Sequence, residues 1–155
     1  MFSPLIIIII IIIINIIIII FICHVSGVMI PIPQYPLYSA QLDLIGGHKV
    51  GYYLNEETIW GMKIEELERS LADAKAKGIN VVAFVLINPG NPTGQVLSSQ
   101  EVKDIVAFCV KHDLVLLADE VYQENVYREE DEFFSCRRAA LELGLIEVGC
   151  FMFYF

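Results

Sequence analysis

Two polar motifs, each directly after an apolar run, contain the side chains that could do chemistry. Asn-Pro-Gly-Asn-Pro-Thr-Gly occupies residues 88–94 after the apolar residues 81–87, and Asp-Glu-Val-Tyr occupies residues 119–122 after residues 114–118. Asn91 and Asp119 are 28 residues apart, about the length of one strand–helix–strand crossover. That spacing predicts that both side chains lie at the carboxyl edge of one parallel sheet, where open α/β folds bind ligands.

Each motif also has a simpler explanation. Asn-Pro and Pro-Gly are ordinary turn formers, and Asp119 could cap a following helix. A third polar segment, Pro-Gln-Tyr-Pro at residues 33–36, follows an earlier apolar run in the same way. Three such segments at equivalent strand ends favour a binding site over three unrelated turns.

The elements that must position these motifs can be predicted from hydrophobic periodicity. Strands are expected at residues 28–32, 49–54, 81–87 and 114–118, and helices at residues 36–44, 63–77 and after Ser98. Ser98 and Glu101 form the S-x-x-E pattern of a capping box at the start of the third helix. Apolar strands alternating with amphipathic helices predict an α/β fold with a mostly parallel sheet between helices. We expect this sheet to have an exposed edge strand.

Three segments resemble the alanine aminotransferases of the fold type I, class I and II aminotransferase family. They are PIPQYPLYSA (residues 31–40), INPGNPTGQVLS (87–98) and LLADEVYQENVY (116–127). The resemblance runs from about residue 27 to about residue 140. Asn-Pro-Thr-Gly together with Asp-x-x-Tyr is specific to the superfamily, and the first segment points to the alanine branch more than to glutamate–glyoxylate aminotransferases. The resemblance implies part of the large, cofactor-binding domain.

The resemblance also implies pyridoxal 5'-phosphate as cofactor and a role for four residues. Asp119 would face the pyridine nitrogen and keep it protonated, so that the ring can take up electrons when the substrate loses its Cα proton. Asn91 and Tyr122 would hydrogen-bond the phenolic oxygen, and Tyr35 would stack on the ring. The implied reaction converts L-alanine and 2-oxoglutarate into pyruvate and L-glutamate.

One expected residue is missing from the sequence. The family has a lysine, one strand beyond Asp-x-x-Tyr, that forms the Schiff base with the cofactor and moves the proton, but residues 120–155 contain no lysine. The upstream phosphate-binding loop, the arginine for the substrate carboxylate and the small domain are also not recognised. We therefore expect a truncated chain, inactive alone, with no catalytic residue of its own. The alternatives are a non-catalytic membrane-anchored or dimerisation fragment, or another fold type I enzyme.

Composition restricts the partners further. The net charge of −9 argues against nucleic acid, which requires clustered Lys and Arg. The cysteines and histidines lack metal-ligand spacing, so no metal is expected and the four cysteines are interpreted as free thiols. The expected partners are small amino acids and 2-oxo acids. The family implies a homodimer, and a location in the cytoplasm or mitochondrion.

The N-terminus differs in kind from the rest of the chain. Residues 5–23 are almost entirely isoleucine, long enough to span a bilayer, but a near-homopolymer is also typical of low-complexity sequence or a wrong gene model. Membrane association is expected only if this run is a genuine span. The sequence thus divides into the isoleucine-rich residues 1–26, a partial aminotransferase large domain at residues 27–140, and a divergent hydrophobic tail at residues 141–155.

Overall fold

The computed structural model describes residues 26–145 and 153–154. Its elements, in chain order, are β1 (Ser26–Ile32), α1 (Leu37–Ile45), β2 (His48–Tyr53), a 3-10 turn (Glu56–Thr58), α2 (Ile64–Ala76), β3 (Asn80–Ile87), α3 (Ser99–Lys111), β4 (Val115–Asp119), α4 (Cys136–Glu142) and β5 (Phe153–Tyr154). The four strands and three helices expected from periodicity are confirmed. The isoleucine run and most of the tail lie outside the described residues, so the expectations about them stay predictions.

The strands form one sheet in the order β2-β1-β3-β4-β5. Every strand pairing among the described residues is parallel, which confirms the α/β class. The chain moves from β1 outward to β2, then crosses back to β3 and continues to β4 on the other side. This reversal opens a crevice at the carboxyl ends of β1 and β3, the usual ligand position in such sheets.

Helices cover both faces of the sheet, as expected for a partial three-layer domain. Alternate strand residues point to opposite faces, so Phe84 and Leu86 of β3 join one buried cluster and Val85 joins the other. The first cluster includes buried residues of α2, α3 and α4. The second receives Tyr38 and Leu42 of α1. One face is therefore covered by three helices and the other, among the described residues, by one.

Two local details refine the expected elements. The capping box of α3 is confirmed, because the Ser98 hydroxyl accepts from the Glu101 backbone N–H and the Glu101 carboxylate accepts from the Ser98 N–H. Pro31 lies within β1. It pairs with Tyr52 of β2, whereas the pairing of β1 with β3 ends at Met29. Proline is tolerated there because β3 no longer pairs with β1 at this position, so no strand on that side needs a hydrogen bond from the backbone nitrogen of residue 31.

β2 is an edge strand with exposed residues, as expected, but side chains of α2 bind part of its outer side. The Ser70 hydroxyl of α2 donates to the Gly51 carbonyl oxygen at 2.8 Å, and the Tyr53 backbone N–H donates to Glu66 Oε1 at 2.9 Å. Arg69 holds the Glu66 carboxylate through two further hydrogen bonds. Side chains of α2 thus satisfy polar groups that an edge strand would otherwise offer to another chain.

Candidate functional site

Three loops meet at the carboxyl edge of the sheet. Residues 33–36 follow β1, residues 88–94 follow β3, and residues 120–125 follow β4. Asp119, the last residue of β4, is in register with Ile87, the last residue of β3. The Asn88 backbone N–H donates to the Asp119 carbonyl oxygen at 3.0 Å, which fixes the start of one polar loop against the end of the other. The adjacency expected from the 28-residue spacing is therefore confirmed.

Asp119 is held by two hydrogen bonds that the sequence did not predict. The hydroxyl of Tyr38, in the first turn of α1, donates to Asp119 Oδ2 at 2.8 Å, and the Val121 backbone N–H also donates to the carboxylate. Tyr38 is only 1% exposed, so the packing of α1 fixes its hydroxyl. The simpler explanation of Asp119 as a helix cap is wrong, because the next helix along the chain begins only at Cys136.

The electrostatics of this carboxylate reflect its position. Burial raises the pKa of the Asp119 carboxyl above its ordinary value of 3.8, and the hydrogen bonds from Tyr38 and the Val121 N–H partly offset that rise. Burial, with the nearby charge of Asp119, also raises the pKa of the Tyr38 phenol well above its ordinary value. The phenol is therefore the proton donor at neutral pH. The two donors therefore favour the charged form of Asp119, whereas burial disfavours it.

The loop at residues 88–94 is braced from within. The Asn88 side chain is fully buried and its Oδ1 accepts from the Leu97 N–H at 3.0 Å, while the Gly90 N–H donates to the Gln95 carbonyl oxygen at 2.9 Å. A Cβ at residue 90 would collide with the buried Gln95 side chain, so only glycine fits there. This bracing projects Asn91 from a fixed base into the crevice, which Pro31, Pro33 and Ile87 also line.

Asn91 and Tyr122 come together at this edge. Asn91 Nδ2 donates to the Tyr122 hydroxyl across 3.4 Å, a long and therefore weak hydrogen bond. The Tyr122 side chain is 39% exposed, so both polar groups remain accessible to a ligand. Tyr35 lies in the loop after β1 and is 49% exposed. Its stacking role stays a prediction.

Glu120 is a second carboxylate near this edge that the sequence reasoning missed, and it is more deeply buried than Asp119. It is 4% exposed, and its Oε1 accepts from the Cys136 backbone N–H at 2.7 Å at the start of α4. Burial raises the pKa of the Glu120 carboxyl, and the hydrogen bond from the Cys136 N–H opposes that rise. Because neighbouring strand residues face opposite ways, Asp119 points toward α1 while Glu120 anchors α4. The Ser135 N-cap, which accepts from the Arg138 N–H, was the available sequence signal for that helix.

Other kinds of site are not found in the part of the chain that the structure describes. Within residues 26–145 and 153–154, no group of three or more His, Cys, Asp or Glu side chains could hold a metal ion. Of the described helices, none combines the length and the apolar character that a membrane span requires. The polar edge of the sheet is therefore the candidate site that the geometry supports.

Comparison with known proteins identifies the kind of domain that carries this edge. The family described as aminotransferase class I and II matches residues 13–147. The chain belongs to this family. It is 57% identical over 119 residues to the mitochondrial alanine aminotransferase 2 of Arabidopsis thaliana, and 50% identical over the same length to glutamate–glyoxylate aminotransferase 1 of that plant. These matches cover 77% of this chain but only 22% and 25% of those proteins.

Solved aminotransferases have the same fold over this part. A double mutant of aspartate aminotransferase from Thermus thermophilus superposes with a TM-score of 0.68 at 26% identity. The superposition covers 77% of this chain and 29% of that one. The expected fold, a partial large domain of a fold type I aminotransferase, is thereby confirmed.

The residues at this edge fit the cofactor of the aminotransferase family. A carboxylate beside a pyridine nitrogen favours its protonated form, and Asp119 is a partly buried carboxylate with two hydrogen-bond donors. A phenolic oxygen requires neutral donors, and Asn91 and Tyr122 supply an amide and a hydroxyl. The half-exposed ring of Tyr35 is available for stacking. The site residues inferred from the sequence thus form a chemically matched set.

Proposed function

We propose that this chain forms the pyridoxal-phosphate-binding part of an aminotransferase that exchanges the amino group of L-alanine with 2-oxoglutarate. The observation that carries the proposal is the Asp119 carboxylate, held at the sheet edge by Tyr38 and the Val121 N–H. Membership of the family supports the reaction class. The alanine branch is supported by 57% identity to an alanine aminotransferase against 50% to a glutamate–glyoxylate aminotransferase.

Asp119 would bind and orient the cofactor by accepting a hydrogen bond from its protonated ring nitrogen. When bound, pyridoxal phosphate supplies an electron sink for the carbanion that forms when an amino acid loses its Cα proton. A charged carboxylate beside the ring nitrogen keeps that nitrogen protonated, which makes the ring a better acceptor. The hydrogen bonds to Asp119 oppose the effect of burial on its pKa, so they favour the charged form that this role requires.

Asn91 and Tyr122 would bind the opposite, phenolic side of the ring. Each can donate one hydrogen bond to an oxygen, and their mutual contact at 3.4 Å is weak enough to be exchanged for a contact with a ligand. Tyr35 would cover one face of the ring and exclude water from it. These three side chains orient the cofactor, and Asp119 sets its charge.

We further propose that the 155 residues bind the cofactor without catalysing amino transfer. All six lysines precede β4 in the sequence. Three of them form ion pairs with carboxylates other than Asp119: Lys49 with Asp43, Lys103 with Glu142 and Lys111 with Glu68. Proton transfer at Cα requires a base beside the reacting carbon, and none of the four site residues supplies an amine.

Binding of pyridoxamine phosphate to the 155-residue chain tests the proposal, because this form has no aldehyde to react with surface lysines. Asp119→Asn should weaken binding by about 10- to 100-fold, the effect of losing a hydrogen bond to a charged group. Asp113→Asn is the matched control, since Asp113 is exposed just before β4 begins, at the other end of the same strand.

Three outcomes would count against the proposal. Absence of binding by the parent chain would exclude the cofactor assignment. Equal weakening by the two Asn variants would exclude Asp119 as the ring-nitrogen ligand. Formation of pyruvate from alanine and 2-oxoglutarate by the chain alone would contradict the claim that it lacks turnover.

A further inference from the structure

The hydrogen bond between Tyr38 and Asp119 joins two elements that are far apart in the sequence. Tyr38 belongs to α1 and Asp119 ends β4, yet the phenol oxygen and Oδ2 are 2.8 Å apart. The helix is fixed on the sheet because Leu42, one turn later, is 1% exposed and packs in the same cluster as Ile87 and Leu117. The position of the Tyr38 hydroxyl therefore follows from the packing of α1.

A second buried tyrosine, Tyr52, has a hydroxyl with a purely structural role and serves for comparison. Tyr52 is fully buried, stacks on Phe84 with ring centroids 4.8 Å apart, and donates to the Val85 backbone oxygen at 2.7 Å. Its acceptor is a neutral carbonyl inside the sheet. Tyr38 instead donates to a charged side chain at the ligand-binding edge. The two tyrosines are similar in burial and hydrogen-bond length but differ in the group that accepts their hydrogen bond.

The carboxylate has few other means of staying charged and oriented. Its second donor is the Val121 N–H. The neighbouring Glu120 points to the opposite face, where it binds Cys136, and its negative charge disfavours a second charge nearby. Within α1, the Tyr38 phenol donates a hydrogen bond to this carboxylate. Among the described residues, no lysine, arginine or histidine lies within ion-pair distance of it.

From this geometry we infer that Tyr38 is a positioning residue for the cofactor: its hydroxyl orients Asp119 and keeps it ionised, so that the carboxylate recognises a protonated ring nitrogen. The inference rests on the proposed function. It adds a residue of α1 to the residues that determine cofactor binding. This helix is the one described helix on its face of the sheet. Tyr38 would act on the cofactor through Asp119, without contacting the cofactor itself.

The first test requires no cofactor. Carbon-13 NMR titration of the aspartate carboxyls in the 155-residue chain follows Asp119, identified by its loss in Asp119→Asn. Tyr38→Phe should raise the pKa of Asp119 further, because burial is then opposed by one donor fewer. Tyr52→Phe, which removes an equally buried hydroxyl, should leave that pKa unchanged. An unaltered Asp119 titration in Tyr38→Phe would overturn the inference even if the cofactor assignment were correct.

The second test compares pyridoxamine phosphate with its 1-deaza analogue, which has no ring nitrogen. The parent chain should prefer the natural ligand, and Tyr38→Phe should reduce that preference by about tenfold, whereas Tyr52→Phe should preserve it. In an Asp119→Asn background, removal of the Tyr38 hydroxyl should change the preference little, because Asn carries no charge to maintain. This double variant also keeps the test usable if an unpaired buried carboxylate unfolds Tyr38→Phe.

The outcomes separate the inference from the proposed function. If the parent binds neither ligand, the proposed function fails, and the titration still decides what Tyr38 does to Asp119. If Tyr38→Phe weakens both ligands equally, its role is structural support and the inference is wrong. A selective loss for the natural ligand, absent in Tyr52→Phe, supports it.

Discussion

The two side-chain pairs at the carboxyl edge of the sheet are constructed in opposite ways. In the closed pair, Tyr38 and Asp119, the phenol is 1% exposed and the hydrogen bond is 2.8 Å long. In the open pair, Asn91 and Tyr122, the tyrosine is 39% exposed and the hydrogen bond is 3.4 Å long. The closed pair is fixed by a helix and a strand, whereas the open pair projects from two loops.

This difference distinguishes side chains whose hydrogen bonds are made when the chain folds from side chains whose hydrogen bonds would be made when a ligand binds. A buried carboxylate must have its donors in place when the chain folds, because an unpaired buried charge is costly. An exposed amide and hydroxyl can bind water until a ligand arrives, so they need no fixed geometry in advance. The closed pair is consequently expected to contribute to stability and the open pair mainly to binding.

The largest effect is expected when the support of the closed pair is removed. Leu42→Ala should lower the free energy of unfolding by about 2–5 kcal/mol, because Leu42 is 1% exposed and its loss leaves a cavity beneath α1. It should also weaken binding of pyridoxamine phosphate, since Tyr38 would lose its fixed position. Leu44→Ala is the control, because Leu44 lies in the same helix but is 78% exposed. Equal effects in urea denaturation would show that α1 is not packed as described.

A smaller, pH-dependent effect should distinguish the closed pair further. The pKa of Asp119 is raised in the folded chain, so the folded state binds its proton more tightly than the unfolded state. Its contribution to stability is present below the ordinary value of 3.8 and is lost as the pH rises through the folded pKa. Asp119→Asn removes this loss, so its unfolding free energy relative to the parent should increase as pH rises.

Urea denaturation of both chains from pH 3.5 to pH 7 measures this difference. The comparison with the parent is needed because Glu120 also has a raised pKa and contributes a slope of the same sign. Since the Asp119 charge is a minor cause of that rise, the slope from Glu120 should be slightly smaller in Asp119→Asn, which adds to the expected difference. Glu66 and Glu68 have lowered pKa values and contribute the opposite slope in both. A difference that stays constant or decreases with pH would show that Asp119 is not a buried, ionised group.

The smallest effect on stability is expected for the open pair. Asn91→Ala and Tyr122→Phe should each change the free energy of unfolding by less than about 0.5 kcal/mol, as for exposed groups in general. Each should nevertheless weaken binding of pyridoxamine phosphate by about 3- to 10-fold, the effect of one neutral hydrogen bond. Thermal denaturation and calorimetric binding measure the two quantities separately. Destabilisation comparable to that of Leu42→Ala would abolish the distinction between the two pairs.

Much of this site could be predicted from the sequence because its main residues lie at predictable strand ends. The apolar run of β3 and the capping box at Ser98 located two neighbouring elements, and the spacing between Asn91 and Asp119 then placed both at one sheet edge. The family resemblance supplied their roles. The alternation of strands and helices predicted a parallel sheet between helix layers, but it did not predict the strand order.

The partners of the two buried carboxylates could not be predicted in this way. A tyrosine in an amphipathic helix has the same periodicity whether its hydroxyl reaches solvent or a carboxylate, so nothing in α1 singled out Tyr38. Glu120 looks like an exposed residue of a polar loop until its contact with Cys136 is known. The pairing of β5 with Leu117 and Ala118 of β4 is equally long-range. Local patterns do not determine such contacts.

The cover that α2 places over the edge strand has a consequence for hydrogen exchange. An amide on the outer side of an edge strand normally exchanges with solvent deuterium quickly, but the Tyr53 N–H is bound to Glu66. It can exchange only when this hydrogen bond opens, either because the Glu66 side chain rotates away or because α2 moves off β2, and both events are smaller than global unfolding. The exchange rate at this one amide would therefore report how firmly the Glu66 side chain is held against the outer side of β2.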